Sequence, residues 1–427
     1  MRKSVATVAV ALAATLGLAA CGSGDDDGVE LTWYINPDAG GQALIAQQCT
    51  EEAAGAYTIA TALLPRDADS QREQLARRLA ANDTSIDLMS LDPPYIPELA
   101  RAGFLAPVPD ELAATAQEQA VQGALETATW EDELVTVPFW SNTQLLWYRT
   151  SVAEAAGLDM SQPVTWDQLI DVAREQDVDL AVQGIRAESL TVWLNSLVVS
   201  AGGEVISGEA TSAADVDVTL DSEAGAEAAR ILSTIGQEGL GGPGLPTADE
   251  NANLASFQGD AGSFMVNWPF VWPALNDAVA GGSLDQAVLD DLGWAMYPAM
   301  IEGEGARPPV GGINLGVSAF SGHVEESYDA IACITDPAKQ AAYFVSDGNP
   351  PSATSSYDDP AVQEEFPMAP LIRDSLEAGA PRPLTPFYNT LSAGLQRTWH
   401  PIDQVDEDTP TISTELIESI LAGEALL

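Results

Sequence analysis

Imidazole and ammonium groups are almost missing from this chain. Its 427 residues include two histidines, His323 and His400, and two lysines, Lys3 and Lys339, so arginine carries nearly all of the 16 positive charges. Against them stand 64 Asp and Glu, for a formal net charge of −48. Affinity for nucleic acid rests on Lys and Arg that neutralise phosphates, and attraction to anionic lipid surfaces rests on the same groups. The charge therefore excludes both as partners. The scarcity of histidine excludes more. Serine and cysteine nucleophiles usually need an imidazole base nearby. Neither histidine sits in a motif: the chain has no His-Glu-x-x-His helix, no Gly-x-Ser-x-Gly elbow and no Gly-x-x-x-x-Gly-Lys loop. No catalytic residue, no metal site and no cofactor is expected. Glycoside hydrolysis needs only two carboxylates, so a secreted, lipid-anchored glycoside hydrolase is the one enzyme class that counting leaves open.

Long apolar runs are confined to the start. Met1-Arg2-Lys3 precedes small and apolar residues from Val5 to Ala20, and these meet Cys21 within Leu18-Ala19-Ala20-Cys21. A basic stretch, a short apolar stretch and small residues before a cleavage point make residues 1–20 a signal peptide. The cysteine at the cut resembles a bacterial lipobox, whose thiol receives a diacylglycerol. Residues 21–28, Cys-Gly-Ser-Gly-Asp-Asp-Asp-Gly, then form a lipidated, flexible tether. No later segment approaches the apolar run of about 18 residues that a spanning helix needs. The folded part is expected on the extracytoplasmic face of the cell membrane, touching it through the lipid alone. That compartment is oxidising. Cys49 and Cys333 are the other two cysteines, and they are either buried thiols or a bridge; the even number and the compartment favour the bridge.

With 46% hydrophobic and 19% charged residues the chain can build a core, and its length suits two lobes. Val29 to Ile35 alternates like a strand, the turn Asn36-Pro37-Asp38-Ala39-Gly40-Gly41 follows, and a helix (43–56) leads to a second strand (57–64). Ser70, with Glu73 as its capping-box partner, predicts the start of the next helix, and Ile86 to Leu91 a third strand ending at Asp92. This is the pattern of a parallel α/β lobe, which binds ligands at the carboxyl ends of its strands. Further on, extended runs are expected at Val135 to Phe139 and Gln144 to Tyr148, separated by Trp140 to Thr143. Helices are expected from Thr165, from Ser189 to Val199 and from Asn251 to Gln258, with strands at Ser263 to Asn267, Gly293 to Tyr297 and Asn314 to Phe320. No repeat of 20–50 residues is visible, which excludes solenoids and propellers.

What is plentiful is indole. Ten tryptophans, with Asn142, Asn267 and strand-end acids near several of them, suit a sugar. Aromatic faces pack on the C–H side of a pyranose, while Asp, Asn and Arg take its hydroxyls. The group Trp140, Trp147, Trp268 and Trp272 is the candidate platform.

Several runs carry a family resemblance. The lipobox, the Thr165-Trp166-Asp167 helix start and Phe257-Gln258-Gly259-Asp260-Ala261-Gly262 resemble family 1 extracellular solute-binding proteins of sugar ABC importers, over essentially all of residues 29–427. More narrowly, Gln74 to Leu79, Asp87 to Asp92, Asn142 to Arg149, Val192 to Asn195, Val266 to Phe270, Gly311 to Asn314 and Arg382 to Pro386 resemble the trehalose-binding lipoproteins of mycobacterial importers. Cys49 and Cys333 also fall where those proteins place their pair. The resemblance implies a two-lobed α/β periplasmic-binding-protein-like fold with discontinuous lobes and a hinge. The expected lobes are 29–138 with 290–332, and 139–289 with 333–427. It implies a monomer that closes on a disaccharide, trehalose, and delivers it to the transmembrane permease subunits of an ABC importer. The ligand residues it implies are Asp92, Asn142, Glu250, Trp268, Gly312, Ile313 and Arg382. The first turn departs from the family spacing and leaves Asp38 and Gln42 as candidates.

Overall fold

A computed structural model of the chain describes residues 28–426 except 209, 211 and 260. The signal peptide, the Cys21 lipidation site and the tether up to residue 27 lie outside the described residues. The expected opening strand is β1 (Val29–Ile35), paired in parallel with β2 (Tyr57–Leu63) and β3 (Leu88–Leu91). Helices α1 (Gly41–Glu52) and α2 (Ala68–Ala80) make the crossovers. Helix α2 begins before Ser70, because the Asp67 carboxylate accepts the Ser70 N–H at 2.8 Å and caps the helix first.

The next segment differs more. Trp140 to Thr143 is not a break: Val137–Thr143 is one buried strand, β4, and Gln144 alone separates it from β5 (Leu145–Arg149). Strand β5 belongs to a second sheet with β6 (Asp179–Ala181), β7 (Gly262–Asn267) and β8 (Leu292–Ala295), in the order β8-β5-β7-β6. Strand β4 pairs with β9 (Pro309–Val317), which joins the first sheet in the order β10-β9-β3-β1-β2, β10 being Ala380–Pro381. The sheets thus part at Gln144 rather than at 138/139. Likewise 292–295 lies in the second sheet, where the bounds implied by the resemblance put it in the first lobe. Sheet membership follows from which strands pair, and that is not local information.

Helices cover both sheets. Around the second are α3 (Trp166–Gln176), opened by the expected Thr165 with a capping box to Gln168, α4 (Glu188–Ser200) and α5 (Glu250–Phe257). Around the first, α6 (Val324–Ile334) and α7 (Pro337–Asp347) pack on α1. Tyr328, Ile331 and Tyr343 enter the same core as Leu31 and Trp33, so this lobe extends past the expected end at 332. Cys49 on α1 is bonded to Cys333 on α6, with Cα atoms 5.8 Å apart, so the disulfide staples helices of one lobe. The last helix used below, α8 (Tyr388–Thr398), packs on α4.

Alternation assigns each strand's side chains to two cores. Leu31, Trp33 and Ile35 of β1 enter one cluster and Tyr34 another, while Leu146 of β5 faces away from Leu145 and Trp147. Each sheet is therefore buried on both faces, although both mix parallel and antiparallel pairs.

Candidate functional site

Strand β9 builds the centre of the site. Val310 pairs with Thr143 on one edge and Pro381 on the other, and Asn314 pairs with Pro138 on one edge and Leu91 on the other. Strand β4 therefore runs along one edge. The other is shared by β10 and β3, which leave Gly311, Gly312 and Ile313 without a strand partner on that side. Because β10 runs parallel to β9 and β3 antiparallel, their carboxyl ends point at each other across this gap. The residues that follow them are Arg382 and Asp92. Opposed strand ends of this kind are where open α/β sheets bind ligands.

Arg382 and Asp92 meet there. The guanidinium donates from Nη2 to Asp92 Oδ1 at 2.6 Å and from Nη1 to Asp92 Oδ2 at 3.3 Å. Its Nη1 also donates to Glu188 Oε1 at 2.6 Å, which ties the first sheet to the first turn of α4. Glu188 accepts further from the hydroxyls of Tyr388 and Ser392 on α8. Tyr95, just past Asp92, donates to Asp69 Oδ1 at 2.6 Å, and Gln396 donates to the other oxygen of Asp69 at 3.4 Å. The rings of Tyr95 and Tyr388 meet edge-on at 5.3 Å, and Arg101 lies over the Phe387 ring at 5.2 Å. Charges and rings from α2, α4 and α8 thus lock around one arginine.

The electrostatics follow from burial. Desolvation weakens the hold of Arg382 on its proton, but Asp92, Tyr388 and Glu188 more than offset it and the pKa lies well above the ordinary value. Desolvation pushes the Glu188 carboxyl up despite Arg382. Burial and the nearby Glu188 raise the Tyr95 and Tyr388 hydroxyls, which stay protonated as donors. Asp92, with its side chain 17% exposed, is the acid of the cluster that can still accept from an incoming hydroxyl.

The second sheet contributes Glu250 and Trp268 through one carboxamide. Asn267, the last residue of β7, accepts the Trp268 backbone N–H at 2.9 Å and donates to the Glu250 carbonyl at 2.9 Å. Burial raises the pKa of the Glu250 carboxyl, and the neighbouring Trp268 side chain offsets part of that rise. A Cβ on Gly311 would stand 3.2 Å from Trp268 Cη2, so the ring lies against that glycine. Gly311 is opposite Asn142 in the β4–β9 ladder, and opposite residues share a face. Asn142 and Trp268 therefore lie on the same face of β9 at Gly311. Gly312 has φ +119°, and a Cβ there would fall 2.2 Å from the Trp140 carbonyl oxygen, so glycine is required.

Asp38 and Gln42 stand apart from this cluster. Asp38 accepts the N–H groups of Gly40 at 3.0 Å and Gln42 at 2.8 Å, forming the turn into α1. Gln42 is fully buried and spends its amide on Asn36 O and Asp38, while its Oε1 accepts from Ser90. Both ends of its side chain are thus bonded inside the protein, at 0% exposure. Of the four tryptophans read as a platform, Trp140 and Trp147 are core, and Trp147 donates to the Asn267 carbonyl at 3.0 Å. Trp272 donates to the Glu365 carbonyl at 2.7 Å and meets Trp294 edge-on. Only Trp268 joins the site. Glu188 is the residue the sequence reading missed; its signal is a lone acid opening an otherwise buried, uncharged helix. Among the described residues no cluster of His, Cys, Asp and Glu could hold a metal ion, and no helix is long and apolar enough to cross a membrane.

The sequence model of the bacterial extracellular solute-binding protein family matches residues 64–341. A probable ABC transporter-binding protein of Deinococcus radiodurans is 22% identical over 357 residues, 77% of either chain. The maltose-bound MalE3 of T. maritima superimposes with a TM-score of 0.78 at 22% identity, over 92% of this chain and 100% of that one. The GacH receptor of Streptomyces glaucescens, solved unliganded and with acarbose, gives 0.76 at 20% identity, over 93% and 100%. These likenesses establish the two-lobed α/β fold.

Proposed function

The chain belongs to the bacterial extracellular solute-binding protein family, and from that premise we propose that its solute is a disaccharide, trehalose, held between the two sheets. It is a solute-binding protein of an ABC transporter and not an enzyme, as its family and structural neighbours are; the glycosidase alternative is set aside on that ground. The observation that carries the proposal is the meeting of two kinds of group around β9. Asp92 and Arg382 offer a charged acceptor and a fork of donors at the open edge. Trp268 offers a flat apolar face against Gly311, the residue opposite Asn142, with Glu250 at the start of α5 near its side chain. A flat face flanked by acid, amide and guanidinium suits a pyranose with its hydroxyls. Maltose and acarbose, held by the two neighbours above, are likewise glycosidic.

Binding favours whichever arrangement lets the sugar touch both sheets, so the ligand selects the closed lobes. The monomer then hands its sugar to the transmembrane permease subunits, held near them by a diacylglycerol on Cys21. Calorimetric titration with trehalose, maltose and a set of polyols tests the solute. Trehalose at one hundred times its dissociation constant should stabilise the protein by about 2.7 kcal/mol. A panel in which only polyols or monosaccharides bind would refute the disaccharide. Labelling with radioactive palmitate, lost on Cys21→Ser, tests the anchor.

A further inference from the structure

We propose that Gln144 is a further ligand-binding residue, an amide at the hinge that takes a sugar hydroxyl as donor and acceptor at once. Gln144 alone separates β4 from β5, so its main chain stands where the two sheets part. It is 0% exposed, and both Nε2 and Oε1 are buried without a hydrogen-bond partner. Buried carboxamides are almost always bonded. Gln42 and Asn267 obey that rule at both ends. Among the described residues Gln144 is the one amide side chain with both polar atoms orphaned.

Its position says what the missing partner is. Leu145 pairs with Asn267, so the next residues outward on the two strands are Gln144 and Trp268. On its other side, Asn142 lies opposite Gly311, against which the Trp268 ring rests. Gln144 is thus bracketed by residues of the proposed sugar site. A carboxamide donates and accepts, as a hydroxyl does, which suits a neutral polyhydroxylated ligand better than an anion or a cation.

The inference rests on the disaccharide reading, and its test separates the two. Gln144→Leu keeps the volume and removes only groups that have no partner in the ligand-free protein. The variant's ligand-free melting temperature should therefore equal or exceed that of the wild type. Its trehalose affinity, measured by calorimetry, should fall at least tenfold, about 1.4 kcal/mol. Gln144→Glu keeps the acceptor and loses the donor, and it should also weaken binding; it serves as the test if the leucine variant does not fold. Leucine and glutamate variants that bind as tightly as the wild type would overturn the proposal and leave the amide to a buried water. If the wild type binds another solute instead of a disaccharide, the disaccharide reading fails. Gln144 is then upheld if Gln144→Leu loses that solute, and overturned if it does not.

Discussion

Replacing Arg382 by methionine keeps most of the side-chain length and none of the charge, which leaves Asp92 and Glu188 without their cation. The side chains of Arg382, Glu188 and Asp92 are 5%, 11% and 17% exposed. Removing one partner of a buried ion pair costs about 3–5 kcal/mol, because the charge left behind stays desolvated. Glu188 is the more deeply buried acid and carries most of that penalty. Adding Glu188→Gln to Arg382→Met neutralises it, so the double variant should recover about 2 kcal/mol relative to additivity. Arg382→Lys should lose an intermediate amount, about 1.5–3 kcal/mol, since one ammonium cannot reproduce a fork that reaches both Asp92 and Glu188. It should also weaken sugar binding. Urea unfolding of all variants at pH 7, in 0.1 M and 1 M NaCl, measures these terms. Salt shortens the screening length from about 10 Å to about 3 Å, which dissolves exposed pairs and spares buried ones. The reasoning is refuted if the coupling vanishes in 1 M salt, or if Arg382→Lys is as stable as the wild type.

Trp268 is only partly buried, so Trp268→Ala should cost less stability than the roughly 3–5 kcal/mol of a core tryptophan while removing most disaccharide affinity. Trp268→Phe should keep part of the binding, and an alanine variant that melts far earlier yet binds normally would move the residue into the core. Burial holds the Glu250 pKa above its ordinary 4.5, so at pH 7, where the unfolded chain ionises this acid freely, Glu250 costs the folded state stability. Glu250→Gln should then raise the ligand-free melting temperature at pH 7. The advantage should shrink as pH falls through the raised pKa and the wild-type acid protonates, and be gone below 4.5; an advantage that grows on acidification contradicts the assignment. Peptide mapping after alkylation should find Cys49 and Cys333 labelled only when the protein has first been reduced. Replacing both by serine should cost about 2–5 kcal/mol in chemical unfolding.

Local chemistry was legible in the sequence. The alternation of Val29 to Ile35, the helix start at Thr165 and the helix over 189–199 each concern contacts within a few residues. These are the contacts that propensity and pattern report. The paired cysteines were legible too, since compartment and count do not depend on the fold. Resemblance named Asp92, Asn142, Glu250, Trp268, Gly312 and Arg382, yet how they meet was decided elsewhere. Tertiary structure decided that Asp92 and Arg382 face each other, because β3 and β10 share one edge of β9 while running in opposite senses. It decided that Gln42 is spent on its own turn, and that Trp147 is core while Trp268 is not. It revealed Glu188, which in sequence could equally be an acid placed to complement a helix N-terminus. It placed the parting of the sheets at Gln144, a residue no local pattern distinguishes. Strand pairing joins residues hundreds apart at the cost of closing long loops, and a one-residue change of register would send each side chain to the other face. That choice is made by the whole set of packed strands, so no short stretch of sequence contains it.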